Sequence, residues 1–136
     1  MKPLILIVDD CEDDRLLMEF MLEIFDYRSI AIPDGTNALQ VTQHYQPALI
    51  LLDICMPGVD GYEVAGYLKQ NSQTAAIPVI AVTATDVTVN EQFLAAGFDD
   101  YLIKPFMIES LKQTIDRHLS NVIHYLSIPS CQAERA

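Results

Sequence analysis

Apolar and polar positions along the chain fall into repeating blocks, in which short unbroken apolar runs alternate with longer stretches at helical spacing. Leu4 to Val8 predict a first strand. From Glu12 to Phe25, the residues Leu16, Leu17, Phe20, Met21, Ile24 and Phe25 recur at helical spacing behind acids in the first turn, where the helix dipole favours them. Arg28 to Ile32 predict a second strand, Pro33-Asp34-Gly35 a turn, and Thr36 to His44 a second helix. Ala48 to Leu52 have no polar break and predict a strand buried on both faces. Gly61 to Asn71 carry Val64, Ala65 and Leu68 as a helical face, and Ile77 to Val82 predict a fourth strand. Val87 to Ala96 predict a fourth helix, closed by Gly97 at the C′ position, where a left-handed backbone costs glycine least. Tyr101 to Ile103 follow as the fifth strand, and the last helix begins near Met107.

Five strands alternating with helices imply right-handed crossovers. The expected fold is α/β, a three-layer (βα)5 doubly wound parallel sheet of flavodoxin-like strand order 2-1-3-4-5. In that order the first and third strands are central neighbours, and ligands bind between their carboxyl ends. The stretch Ala48 to Gly61, ALILLDICMPGVDG, stops an apolar run on Asp53 and supplies turn chemistry at Pro57, Gly58 and Gly61. A lone Asp in that place reads as a turn cap. Asp53 is not alone, because the first strand ends on Asp9-Asp10 and the fifth on Lys104-Pro105. The topology gathers three carboxylates and one ammonium at one sheet edge.

Composition narrows the choices. A chain of 136 residues is one domain's worth, and 51% hydrophobic content excludes disorder. No apolar run approaches the roughly 18 residues of a membrane span. Acids follow the N-terminal apolar run where a secretory signal would place small residues, so the run reads as a strand. Cys11, Cys55 and Cys131 form no paired spacing, which points away from zinc or a disulfide framework and toward a reducing cytoplasm. Nineteen acidic against eight basic residues give a formal charge of -11, which repels phosphate backbones and anionic lipid. Neither direct nucleic-acid binding nor a membrane partner is expected.

Crowded carboxylates repel, and a divalent cation resolves the repulsion. Hard oxygen ligands suit Mg²⁺, or Mn²⁺ in its place. With metal and Lys104 balancing the charge, Asp53 becomes able to attack a phosphoryl group and form an aspartyl phosphate, catalysis being mostly positioning and charge neutralisation.

These residues resemble a response-regulator receiver domain of two-component signalling, of the stand-alone type. The resemblance rests on Asp9-Asp10 after the first strand, Asp53 in LLDICMPGVDG, Thr83 in AVTA and Lys104-Pro105-Phe106, and it covers about Lys2 to Leu119. It implies that Asp53 is the phosphoacceptor, that Asp10, Asp53 and the backbone carbonyl of Cys55 bind the metal directly, and that Asp9 acts through a metal-bound water. It further implies that Lys104 and Thr83 contact phosphoryl oxygens, that Ala84, Thr85 and Pro105 surround the group, that Tyr101 is a switching aromatic, and that the Lys104-Pro105 bond is cis. The phosphodonor would be a sensor histidine kinase or a histidine phosphotransfer protein. A population shift on the face of the fourth helix, fifth strand and fifth helix would then carry the signal to a downstream protein. Cys55 and Thr85 depart from frequent family choices beside the path of attacking water and so bear on the lifetime of the phosphoryl group. Cys55, neutral and weakly hydrogen bonding, is expected to favour a slowly decaying phosphoform.

Several of these residues have plainer readings. Thr83 alone is a β-branched strand end, Lys104 a solvated charge and Tyr101 a core aromatic. Glu12, Asp13 and Asp14 read as a favourable first helical turn rather than metal ligands. His44, His118 and His124 read as surface groups. At the C-terminus, Ile108, Leu111, Ile115, Leu119, Val122, Ile123 and Leu126 continue one apolar stripe. The expected organisation is a receiver over residues 1–120 with a helical extension and tail over 121–136, no effector domain, and a homodimer contact through the extension or its folding back. Two rival functions are a phosphorylation-independent pseudo-receiver and a small-molecule phosphohydrolase; the second lacks a DxD pattern and a cap insertion.

Overall fold

The structure is a computed structural model that describes residues 2–56, 58, 60–84 and 91–119. Nine elements have defined bounds: β1 (Leu4–Val8), α1 (Glu12–Ile24), β2 (Arg28–Ile32), α2 (Ala38–Tyr45), β3 (Leu49–Asp53), α3 (Gly61–Gln70), β4 (Val79–Thr83), α4 (Glu91–Ala96) and β5 (Asp100–Ile103). A further helix, α5, covers 108–119. Thr85, the expected start of the fourth helix at Val87, and the C-terminal segment with Val122, Ile123, His124, Leu126 and Cys131 lie outside the described residues.

The five strands form one parallel sheet in the order β2-β1-β3-β4-β5, as expected from the alternation. Every residue of β3 and β4 is buried, because helices cover both faces of a sheet wound this way. One layer of core joins Leu6, Val8, Ile50 and Leu52 to Val64, Ala65 and Leu68 of α3 and Phe93 of α4. The opposite layer joins Ile5, Ile7, Leu51 and Val82 to Met18 and Leu22 of α1 and Leu111, Ile115 and Leu119 of α5. Strand period two explains the division, since successive side chains point to opposite faces.

Two glycines fix local geometry. Gly97 adopts φ +89° directly after α4, the C′ conformation expected of it. At Gly61, a Cβ would lie 2.6 Å from the Ile54 Cα, so only glycine lets α3 start this close to the end of β3. The connection from α3 to β4 is tied down by side chains. The Thr74 hydroxyl donates to the Leu68 carbonyl at 2.5 Å, and the Lys69 ammonium donates to the carbonyls of Ala75 at 3.2 Å and Ile77 at 2.8 Å while pairing with Asp99 at 2.8 Å.

The helical face read for α1 is corrected. Leu16, Leu17, Phe20 and Ile24 are all more than half exposed, and the sheet instead takes Met18 and Leu22. Eight of the ten residues from Leu16 to Phe25 are apolar, an arc wider than one contact stripe, and the backbone entering from Asp9 turns the Met18–Leu22 line inward. His118 is corrected as well: it is largely covered, with Nε2 3.0 Å from Asp100 Oδ2.

Candidate functional site

β1 and β3 are paired with Val8 opposite Leu52, so Asp9 and Asp53 stand level where the two strands end. β4 and β5 continue the row: Val82 lies opposite Asp53, and Ile103 opposite Thr83, which places Lys104 next. Asp9 and Asp53 are held by the same local device. Asp9 Oδ1 accepts the Cys11 N–H at 2.9 Å and Asp53 Oδ1 accepts the Cys55 N–H at 2.9 Å, each a turn in which an Asp bonds the backbone two residues on. The other oxygen of each carboxylate then faces Lys104, whose Nζ lies 2.8 Å from Asp9 Oδ2 and 3.6 Å from Asp53 Oδ2.

Asp9 is fully buried, Asp53 is 5% exposed and Asp10 is open to solvent. One oxygen from each of the three lies within 4.8 Å of the others. This donor set of hard oxygens, open on the Asp10 side, fits a Mg²⁺ or Mn²⁺ ion that keeps several waters. Burial pushes the Asp53 carboxyl above its ordinary range, and the Asp9 charge adds to the rise, against the Cys55 N–H and Lys104, which favour the anion. Burial alone would weaken the Lys104 proton; hydrogen bonds to Asp14 and Asp9, with the Asp53 and Asp9 charges, reverse this and raise its pKa above the usual lysine value. The site therefore holds a firmly charged ammonium beside a carboxylate that lacks full compensation.

Thr83 is buried, with Oγ1 3.6 Å from Cys55 Sγ, and its carbonyl accepts the Lys104 N–H at 2.7 Å. The Cys55 residue is exposed, on the loop leaving Asp53. Ala84 is exposed one residue beyond Thr83. The Lys104-Pro105 bond is cis. Pro105 lines a cavity of about 110 Å³ with Leu17, Met21 and Phe106 against α1. Tyr101 is 38% exposed with its ring edge-on to Phe93 at 6.1 Å, so the core reading of this residue is set aside and the ring stands at the α4–β5 boundary.

Two features escaped the pattern. Asp14, which reads as a first-turn acid, accepts from Lys104 Nζ at 2.6 Å, the shortest of the three carboxylate contacts to that ammonium. Its only sequence signal is the run of acids Glu12-Asp13-Asp14. Asp100, at the start of β5, gathers His118 and Arg117 of α5. Burial raises its carboxyl, but His118, the Tyr101 N–H and Arg117 together outweigh burial and hold it below the usual value.

Comparison with known proteins places this geometry in a family. A family model described as the response regulator receiver domain matches residues 5–116. The polar-differentiation response regulator DivK of Brucella anthropi is 34% identical over 118 residues, spanning 86% of this chain and 96% of that protein. A probable transcriptional regulator ycf27 of Galdieria sulphuraria is 39% identical, spanning 84% of this chain but 44% of its own length. The chain spans half or less of the length of the first curated relatives it matches. Among solved structures, the Vibrio cholerae chemotaxis protein CheY4 superposes with a TM-score of 0.81 at 27% identity, covering 87% of this chain and 99% of that one. The receiver domain of a Pseudomonas aeruginosa sensor histidine kinase, solved with a magnesium ion in its active-site cleft, gives 0.81 at 29% identity, covering 88% and 99%.

Proposed function

Because this chain belongs to the response-regulator receiver family, we propose that Asp53 is its phosphoacceptor and that the chain catalyses its own phosphorylation and dephosphorylation. A carboxylate oxygen of Asp53 attacks the phosphorus of a phosphohistidine. The new O–P bond forms as the N–P bond breaks, and the imidazole nitrogen leaves with the electron pair. Asp9, Asp10, Asp53 and the Cys55 carbonyl would hold Mg²⁺ or Mn²⁺, which supplies charge neutralisation at the phosphoryl oxygens. Lys104 neutralises a further oxygen, and Thr83 donates its hydroxyl to another once the group is in place. The observation that carries this reading is Asp53 itself, nearly buried at the end of β3 between Asp9 and the Lys104 ammonium.

Converting the Asp53 carboxylate to an acyl phosphate adds about one negative charge and three strong acceptor oxygens, enough to favour an arrangement in which Thr83 moves toward them. Tyr101, now exposed beside Phe93, then turns toward the vacated space, and the α4–β5–α5 surface changes its fit for a downstream partner. The phosphodonor is a sensor histidine kinase or a histidine phosphotransfer protein. The exposed Leu16, Leu17, Phe20 and Ile24 on α1, adjoining the Lys104 end of the site through Leu17, support docking there. Cys55 is a weak hydrogen-bonding neighbour for attacking water, so the phosphoform decays slowly, and Cys55→Asn speeds phosphate release.

The test is intact mass after incubation with Mg²⁺ and acetyl phosphate. A single phosphoryl adduct on the wild type that is absent from Asp53→Ala and absent without Mg²⁺ supports the reading. No adduct from acetyl phosphate or from phosphohistidine proteins replaces it with a phosphorylation-independent binding module.

A further inference from the structure

Lys104 has three protons to donate and three carboxylates around it, but the three contacts are unequal. Asp14 Oδ2 lies at 2.6 Å and Asp9 Oδ2 at 2.8 Å, both within hydrogen-bond range, whereas Asp53 Oδ2 lies at 3.6 Å. The ammonium is thus drawn toward α1 and away from the strand end it faces. The two close partners also differ from each other. The Asp9 side chain is wholly buried and loses the cation paired with it if Lys104 departs. The Asp14 side chain is 36% exposed, so water replaces a lost ammonium at small cost. Asp14 is the contact that gives way.

Resting on the reading of Asp53 as phosphoacceptor, we propose that Asp14 is a positioning residue that tethers Lys104 to α1 in the unphosphorylated protein and yields it to the phosphoryl group. A phosphoryl group on Asp53 extends beyond the carboxylate and brings new charged acceptor oxygens toward the ammonium. Lys104 keeps Asp9 and exchanges Asp14 for a phosphoryl oxygen. The exchange has a second consequence at the cavity walled by Asp14, Leu17, Lys104, Pro105 and Phe106, where the ion pair holds the first turns of α1 against the segment after β5. Breaking it loosens that end of α1, so the phosphorylation state is written on α1 as well as on the α4–β5–α5 side.

Asp14→Asn and Asp13→Asn are compared in the full chain, since each removes one charge from the same helical turn and only Asp14 touches Lys104. Two readouts are taken: the rate of adduct formation from acetyl phosphate with Mg²⁺, and amide hydrogen exchange over residues 12–18. Asp14→Asn is expected to form adduct roughly two- to fivefold faster than wild type, the scale of one partly exposed ion pair, with Asp13→Asn close to wild type. Exchange over 12–18 should rise in unphosphorylated Asp14→Asn, and should rise to a similar level in wild type on phosphorylation. Equal acceleration in both variants would mean a general charge effect and overturn the proposal, as would wild-type exchange that phosphorylation leaves unchanged. If wild type forms no adduct from acetyl phosphate or from a phosphohistidine protein while exchange still rises in Asp14→Asn, the phosphoacceptor reading has failed and takes the hand-over with it. If adduct forms and neither readout moves in Asp14→Asn, the tether alone has failed.

Discussion

α1 and α5 lie in the same layer of the sandwich and meet opposite fates. The stripe of α5 is buried at Leu111, Ile115 and Leu119, while four large apolar residues of α1 stand in solvent. Both stripes are periodic. On α5 the apolar line runs between Glu109, Lys112, Gln113, Asp116 and Arg117, and those polar residues leave one orientation available. On α1 the polar residues between Leu16 and Phe25 are Glu19 and Glu23 alone, so spacing finds apolar faces without saying which meets the sheet. Periodicity identifies a face; the polar residues opposite it fix its direction.

The contrast can be broken most forcefully at its buried ends. Leu111→Ala and Leu22→Ala each remove a fully buried side chain and should cost about 2–5 kcal/mol in urea unfolding. A Leu22→Ala cost no larger than that of Leu16→Ala would return the sheet contact to the face read from spacing. Next in size is the seam between the helices, where the Tyr27 hydroxyl donates to Asp116 Oδ1 at 3.1 Å. Burial pushes this hydroxyl up to about 12, and Asp116 adds to the shift. A pKa raised on folding means that the contribution is complete below the unfolded value of 10.0 and is lost as pH climbs toward 12. The melting-temperature advantage of wild type over Tyr27→Phe should be constant below pH 10 and shrink above it, whereas an advantage unchanged across that range would deny the bond its role. Smallest of all is Phe20→Ser on the exposed stripe, expected to change stability by about 0.5 kcal/mol or less. The same substitution should weaken capture of a phosphodonor, measured as a slower transfer from phosphohistidine protein with an unchanged rate from acetyl phosphate.

Much of this molecule is legible in the chain because its signals are local. The unbroken run before Asp53, the Gly97 stop and the alternation of periods lead to the observed strand order. Parallel topology then carries Asp9, Asp10, Asp53 and Lys104 to one edge, since residues that end neighbouring strands must be neighbours. What stayed hidden depends on where long side chains reach. Asp14 and Lys104 are 90 positions apart, and an acid in a first helical turn has a sufficient local explanation that conceals its partner. His118 was hidden likewise, because helical spacing does not reveal that Asp100 waits at the start of β5. Tyr101 stays open between a switching aromatic and a core aromatic in the sequence, and the edge position of β5 leaves it 38% exposed.

The connection between α3 and β4 has a consequence outside signalling. Its residues Asn71, Ser72, Gln73 and Thr74 have the composition of a protease-sensitive loop. Yet Thr74 is buried with its hydroxyl on the Leu68 carbonyl, the Gln73 carbonyl accepts from Gln46, and the Ala75 and Ile77 carbonyls are both taken by Lys69. A protease must draw the peptide into an extended conformation, and here that would unfasten α3 from β4. Limited digestion should leave this peptide intact until the domain unfolds as a whole.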